Sequence, residues 1–243
     1  LRPEREYSSV RKTFEKYLEH GGLPGLCFIR DKKLREESLD FLHQLIVDRD
    51  LRMLYESKLS AAAILRFLSI LAQRAWEKIQ YAEIQRRTGL SPITQKNLLL
   101  AMESIFLLRR IPILDLHGDT FILEDQLEEY ALSKGNLDSK RQVIGAVYWC
   151  IRGEGAYRMG SKMEFSTYRS RDGAVVPVVV ATPDSMLGVL VIEGETPSLS
   201  ERRSAESLLR RFAHSKVIFL VNKEIPPRVL NERLKIAALY AIL

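Results

Sequence analysis

Two groups of side chains in this sequence have types and spacings that could do chemistry. The first is basic and polar: Arg86 and Arg87, then Ile93, Thr94, Lys96 and Asn97, then Arg109 and Arg110. Guanidinium and ammonium groups neutralise phosphates, and an asparagine amide matches the edge of a base. The set therefore reads as a DNA-binding face, with the cations on the backbone and Asn97 as the base reader. The competing reading is an ordinary solvated face. The second group is acidic: Glu193 and Glu195, with Asp172 and Asp184 at a distance, offer oxygens for a divalent metal or for general acid–base work. Their i, i+2 spacing is weak support, because any strand puts such a pair on one face. Asp115-x-His117-x-Asp119 also holds three potential ligands, but reads better as a polar hairpin turn with Gly118 at its tip. His20, His43 and His214 have no motif partners. There is no Gly-x-Ser-x-Gly elbow, and Cys27 and Cys150 are too isolated for a disulfide framework or a zinc site.

The basic set needs a frame, and residues 81–106 supply one. Tyr81 to Thr88 is a short helix, Gly89 provides the positive φ of a tight turn, and Leu90 plugs the corner. Ser91 caps the next helix and Pro92 takes its first position, where a missing N–H costs nothing. Gln95, Leu99, Met102 and Phe106 recur at i, i+4, i+7 and i+11, so that face packs inward. Ile93, Lys96, Asn97 and Leu100 then face out, as on the recognition helix of a helix-turn-helix. Leu107 to Leu114 and Thr120 to Leu123 form a hairpin turning at His117-Gly118-Asp119, which makes the whole a winged helix ending near Gly135.

The rest of the chain divides around it. In residues 1–55, Val10 to His20 and Glu36 to Ile46 are helices, Gly21-Gly22 stops the first, and the charged run Asp48 to Arg52 follows the second. Ser60 to Gln73 is a strongly apolar helix. After Lys140 to Ile151, another helix, Gly153, Gly155 and Gly160 mark a loop. Glu164–Ser170, Ala174–Ala181 and Gly188–Glu193 read as strands, with Asp172-Gly173 turning the first hairpin. Ser200 to His214 is a helix carrying Arg202, Arg203, Arg210 and Arg211, and Lys216 to Val221 is a further strand. The expected class is multi-domain α+β: a helical segment (1–55), a winged helix (56–135) and a small α/β domain with a mixed sheet (136–243).

A net charge of +6 suits a polyanion without demanding one, and its distribution decides more. Residues 56–135 hold ten basic and ten acidic side chains, which keeps open a winged helix that docks protein and binds no nucleic acid. Within that stretch Glu124, Asp125, Glu128 and Glu129 form an acidic cluster, expected to give the surface a second, protein-facing end. No apolar run is long enough to span a bilayer, and a cytoplasmic, reducing setting is expected.

Phe14…Tyr17-Leu18…Gly21-Gly22-Leu23-Pro24, then Arg49-Asp50-Leu51, then the winged helix, resemble the C-terminal half of bacterial and archaeal AAA-type ATPases. Those proteins begin with a P-loop ATPase domain. They end in a winged helix and a domain of unknown function resembling PD-(D/E)XK nucleases. The resemblance runs over nearly the whole chain and implies an accessory, regulatory module that works with an ATPase domain in cis, which the segment around Gly21-Gly22 and Arg49-Asp50 would contact. This sequence contains no Gly-x-x-x-x-Gly-Lys-Ser/Thr and starts at Leu1, so the expectation is either a fragment or a gene that has lost its motor. In the nuclease-like fold an Asp on the second strand of a hairpin and a Glu-x-Lys on the next strand hold the metal and activate water. Here Pro177 stands in the Asp position and Glu195 in the Lys position, leaving Glu193 alone, and Ala146 to Cys150 lacks the acid of the preceding helix. One carboxylate does not organise a near-octahedral magnesium site. The expectation is a nuclease-like fold without nuclease chemistry, metal or cofactor. The remaining rival is a nuclease with migrated ligands drawn from Glu193, Glu195 and Asp172 or Asp184.

Overall fold

Helix α1 (Tyr7–His20) ends where Gly21 takes φ 69° and returns its N–H to the Tyr17 carbonyl, 2.8 Å away. The computed structural model describes residues 7–55, 58–134, 138–159 and 163–241; Gly135 and Gly160, used above as a domain end and a loop marker, lie outside them. The chain forms two compact units. One comprises Lys16–Arg110 and Asp119–Asp138. The other comprises the residues up to Glu15, Ile111–Gly118 and everything from Ser139.

In the first unit, α2 (Lys32–Leu45) starts earlier than the apolar spacing suggests, because the Asp31 carboxylate accepts from the Leu34 N–H and caps it there. It does not give way to a charged connection. A π-helical stretch (Ile46–Leu51) and a short α3 (Arg52–Leu54) continue it, because Val47 and Leu51 are both buried one turn apart. Next come α4 (Ala61–Gln73), capped by Ser60, then α5 (Tyr81–Thr88) and α6 (Pro92–Ser104). The hairpin strands β1 (Leu108–Leu114) and β2 (Asp119–Leu123) follow, and α7 (Gln126–Leu132) ends the unit. One apolar core runs from Val47 and Leu51 through Phe67, Leu68, Leu98 and Met102 to Leu132.

The acidic cluster is not a surface. Asp125, Glu128 and Glu129 are 5%, 3% and 0% exposed, on or beside a helix the sequence reading missed. Asp125 explains the arrangement: one carboxylate oxygen accepts the Gly22 N–H at 2.7 Å, and the other faces the Glu128 N–H at 3.4 Å in the first turn of α7. A Cβ at Gly22 would lie 3.4 Å from that carboxylate and 3.2 Å from the Tyr17 ring, so the close approach suits glycine. Glu124 pairs with Arg109, and Glu128 lies 3.7 Å from His43 Nε2 with both side chains buried.

The second unit is layered. Helix α8 (Ser139–Met159) precedes the meander β3 (Glu164–Arg169), β4 (Val175–Thr182) and β5 (Ser185–Ile192). Helix α9 (Leu199–Arg211) crosses to β6 (Ser215–Val221), and β7 (Arg228–Asn231) and β8 (Leu234–Ala238) close the sheet. The order is β1-β3-β4-β5-β6-β8-β7, with β1, β5 and β8 parallel to β3, β6 and β6 respectively and the other pairs antiparallel. Tyr148 of α8 packs edge-on against Phe165, whereas Tyr168 hydrogen-bonds Ser207 of α9 at 2.8 Å. Residues three apart on a strand point to opposite faces, so the two helices cover opposite sides of the sheet. Gly188 lets α9 come close: a Cβ there would sit 2.5 Å from Leu208. Gly153 and Gly155 do not mark a loop; they lie inside α8, and a side chain at Gly155 would collide with Met163.

Burial pushes the Glu128 carboxyl above its usual 4.5, with His43 opposing the shift and Asp125 and Glu124 adding to it. A raised folded-state value means the folded chain holds the proton more tightly, so this contribution is complete below 4.5 and is lost as pH rises through the raised value. Glu128→Gln should therefore raise the thermal midpoint relative to the parent at about pH 7 and lose that advantage at about pH 4, as read by calorimetry at both values.

Candidate nucleic-acid interface

The α5–α6 corner is built as its sequence requires. Gly89 adopts φ 75° and donates to Gln85 O at 2.7 Å, and Leu90 is buried in the angle. The Thr88 hydroxyl donates to Ile84 O and accepts from the Leu90 N–H. Ser91 Oγ accepts from Thr94 N–H, and Pro92 opens α6. Gln95 fixes the angle between the helices. Fully buried, its amide nitrogen donates to Tyr81 O at 3.0 Å and Leu90 O at 2.8 Å, so one side chain of α6 holds the start of α5 and the turn together. Leu98, Leu99 and Met102 complete the inner face.

Phe106 departs from the expected inner stripe. α6 stops at Ser104, and Phe106 takes φ 56° with its ring 74% exposed. The Phe106 N–H bonds Glu103 O and the Leu107 N–H reaches back to Met102 O, a helix terminus that normally places glycine where Phe106 stands. The left-handed residue swings out so that Leu107 can turn in and be buried.

The outer face carries Ile93 (73% exposed), Lys96, Asn97 and Leu100 (59%). Lys96 Nζ lies 5.5 Å from the centroid of the Tyr81 ring. Thr94 is turned into the cap, 2.9 Å from Ser91 Oγ. Arg86 and Arg87 stand exposed in the last turn of α5, where cations also complement the helix dipole; Arg87 Nη2 is 3.1 Å from Gln73 Oε1. Arg109 and Arg110 differ from these. Arg109 is partly buried and bound to Glu124 at 2.6 Å, whereas Arg110 is exposed and 3.9 Å from Asp119. Arg74 is likewise occupied, by Glu83 and Glu77. The exposed cations of this face are Arg86, Arg87, Lys96 and Arg110.

The acidic set is arranged less favourably. Glu193 and Glu195 lie in the bend after β5, not on a strand, and both are exposed; Glu195 is 3.8 Å from Lys223. Asp172 sits in the β3–β4 turn, at the sheet end where β5 finishes, but Asp184 is in the β4–β5 turn at the opposite end. Pro177 occupies a β-bulge: Ser166 faces Val179 and Tyr168 faces Val176, so Thr167 is opposite both Pro177 and Val178. A residue with no N–H is tolerated where the ladder is interrupted. Ala146 to Tyr148 are buried in the core. Asp115 is bound to Arg211 at 2.7 Å, and no group of three potential ligands converges for a metal among the described residues. Arg202, Arg203, Arg210 and Arg211 are exposed on α9. Arg233, which sequence reasoning missed, donates to Leu209 O, Phe212 O and Ser215 O and so closes the C-terminal end of α9.

Residues 11–117 match the profile of a family described as a domain of unknown function (DUF8612), a span from α1 through the turn after β1. No curated protein matches the chain. No helix among the described residues is long and apolar enough to cross a membrane.

Gln95→Ala should cost about 1–3 kcal/mol, by taking the side-chain donor from the buried Leu90 carbonyl and leaving a void between the helices; urea unfolding measures it. Phe106→Gly removes an exposed ring from a left-handed position and should stabilise by roughly 0.5–1 kcal/mol in the same titration.

Proposed function

We propose that this chain is a non-catalytic accessory module of an AAA-type ATPase that binds duplex DNA through α5, the Gly89 turn and α6. The observation that carries the reading is the outer face of α6. Ile93, Lys96 and Asn97 are exposed on a helix that Gln95 holds against α5, and the last turn of α5 carries the exposed Arg86 and Arg87. Support for a winged helix comes from the hairpin β1–β2 that follows. Arg110 adds an exposed cation at that hairpin, whereas the pairing of Arg109 with Glu124 makes it a weaker phosphate contact than its neighbours. Support for a nuclease-like second domain comes from the meander. β4 is the second strand of a hairpin and β5 the next strand, the places that fold uses for its Asp and its Glu-x-Lys. With Pro177 in the bulge of β4 and Glu195 beside Lys223, the residues at those places are not suited to metal-assisted hydrolysis. The regulatory role and the ATPase partner in cis rest on the resemblance.

A second reading is docking of a protein on the same face, favoured by the exposure of Ile93, Leu100 and Phe106. Fluorescence anisotropy with duplex DNA separates the two. Phosphate contacts by Arg86, Arg87 and Lys96 alone predict affinity falling about 40-fold between 50 and 200 mM salt. Arg86→Glu/Arg87→Glu/Lys96→Glu should abolish that binding, and no binding at low salt would leave protein docking as the function of the face.

A further inference from the structure

The outer face of α6 is poor in the chemistry that reads guanine and rich in the chemistry that reads A·T pairs. Arginine and lysine are the guanine readers of the major groove, and α6 has no arginine. Its one cation, Lys96, sits by the Tyr81 ring of α5, the helix that carries Arg86 and Arg87 and thus the phosphate-binding charge. Gln95 is unavailable because its amide is spent on Tyr81 O and Leu90 O, and the Thr94 hydroxyl is spent on the Ser91 cap. That leaves Asn97, whose exposed amide can donate to N7 and accept from N6 of adenine. Flanking it are Ile93 four residues before and Leu100 three residues after, both exposed on the same face. Branched apolar side chains at that position meet the 5-methyl group of thymine. Four residues of helix rise about 6 Å, close to two base-pair steps of about 3.4 Å. Asn97 and Ile93 can therefore address pairs two steps apart in one groove.

We infer that α6 recognises A·T pairs from the major groove, with Asn97 on adenine and Ile93 and Leu100 on thymine methyl groups. The inference rests on the DNA-binding reading and adds the base class to it.

The test uses the full chain and four mixed-sequence duplexes of equal length, compared by anisotropy at one low salt concentration. They are A·T-rich; G·C-rich; inosine·C, which keeps a guanine-like major-groove edge and an A·T-like minor groove; and A·U, which lacks only the thymine methyl. A·T should bind about tenfold tighter than G·C. Inosine·C should behave as G·C does, and A·U should bind several-fold more weakly than A·T. Ile93→Ala should narrow the difference between A·T and A·U, Ile93→Ala/Leu100→Ala should abolish it, and Asn97→Ala should narrow that between A·T and G·C. Both positions are exposed, and circular dichroism checks that the variants stay folded. Equal binding to all four duplexes, or inosine·C behaving as A·T, overturns the inference and leaves DNA binding in place. An absence of binding to every duplex overturns the DNA reading itself, and the inference with it.

Discussion

A buried carboxylate must be satisfied, and in the helical unit the buried Asp125 ties two segments together in meeting that demand. Its two oxygens reach the Gly22 N–H and the first turn of α7, which joins the loop after α1 to the last helix of the unit. A buried acceptor without donors costs more than an ordinary hydrogen bond gains, so those contacts constrain the loop more tightly than its apolar contacts alone would. They also account for Gly22, where a side chain would press on the carboxylate and on Tyr17. With α7 anchored in this way, Leu132 completes the apolar core that α4 and α6 share, and His43 and Glu128 are enclosed together.

The same economy of buried polar groups governs the α5–α6 corner. Three side chains, Thr88, Ser91 and Gln95, answer the backbone groups exposed by a tight turn and a helix start. Gln95 is thereby removed from any surface role, and the hydroxyls of Thr88 and Ser91 are occupied. What remains on the outside of α6 is a short set of apolar and amide side chains beside the cations of α5. A rigid frame under that set gives the face a defined geometry, whichever partner it meets.

The sheet unit shows how a residue of the wrong type for chemistry can be right for structure. Pro177 cannot donate to β3, and the chain answers with a bulge opposite Thr167 rather than a broken ladder. Gly188 removes a side chain so that Leu208 of α9 can sit on the strand, and Arg233 closes the end of that helix by collecting its terminal carbonyls.

Local signals carried far in this chain. The Ser91 cap and the Gly21, Gly89 and Gly173 turns were legible because their causes lie within a few residues. The outward set Ile93, Lys96, Asn97 and Leu100 followed from helical periodicity alone. The misses share one cause. The burial of Asp125, Glu128 and Glu129 and the helical course of Asp48 to Arg52 depend on partners distant in sequence. So does the pairing of Arg109 with Glu124, and Phe106 turned outward because Leu107 had a core to enter. The sequence by itself determined the α5–α6 corner and the glycine turns, since capping and steric preference act over three or four residues. Only the tertiary structure decided which charges are spent in the interior and which remain outside, because solvation of a side chain depends on every element packed around it.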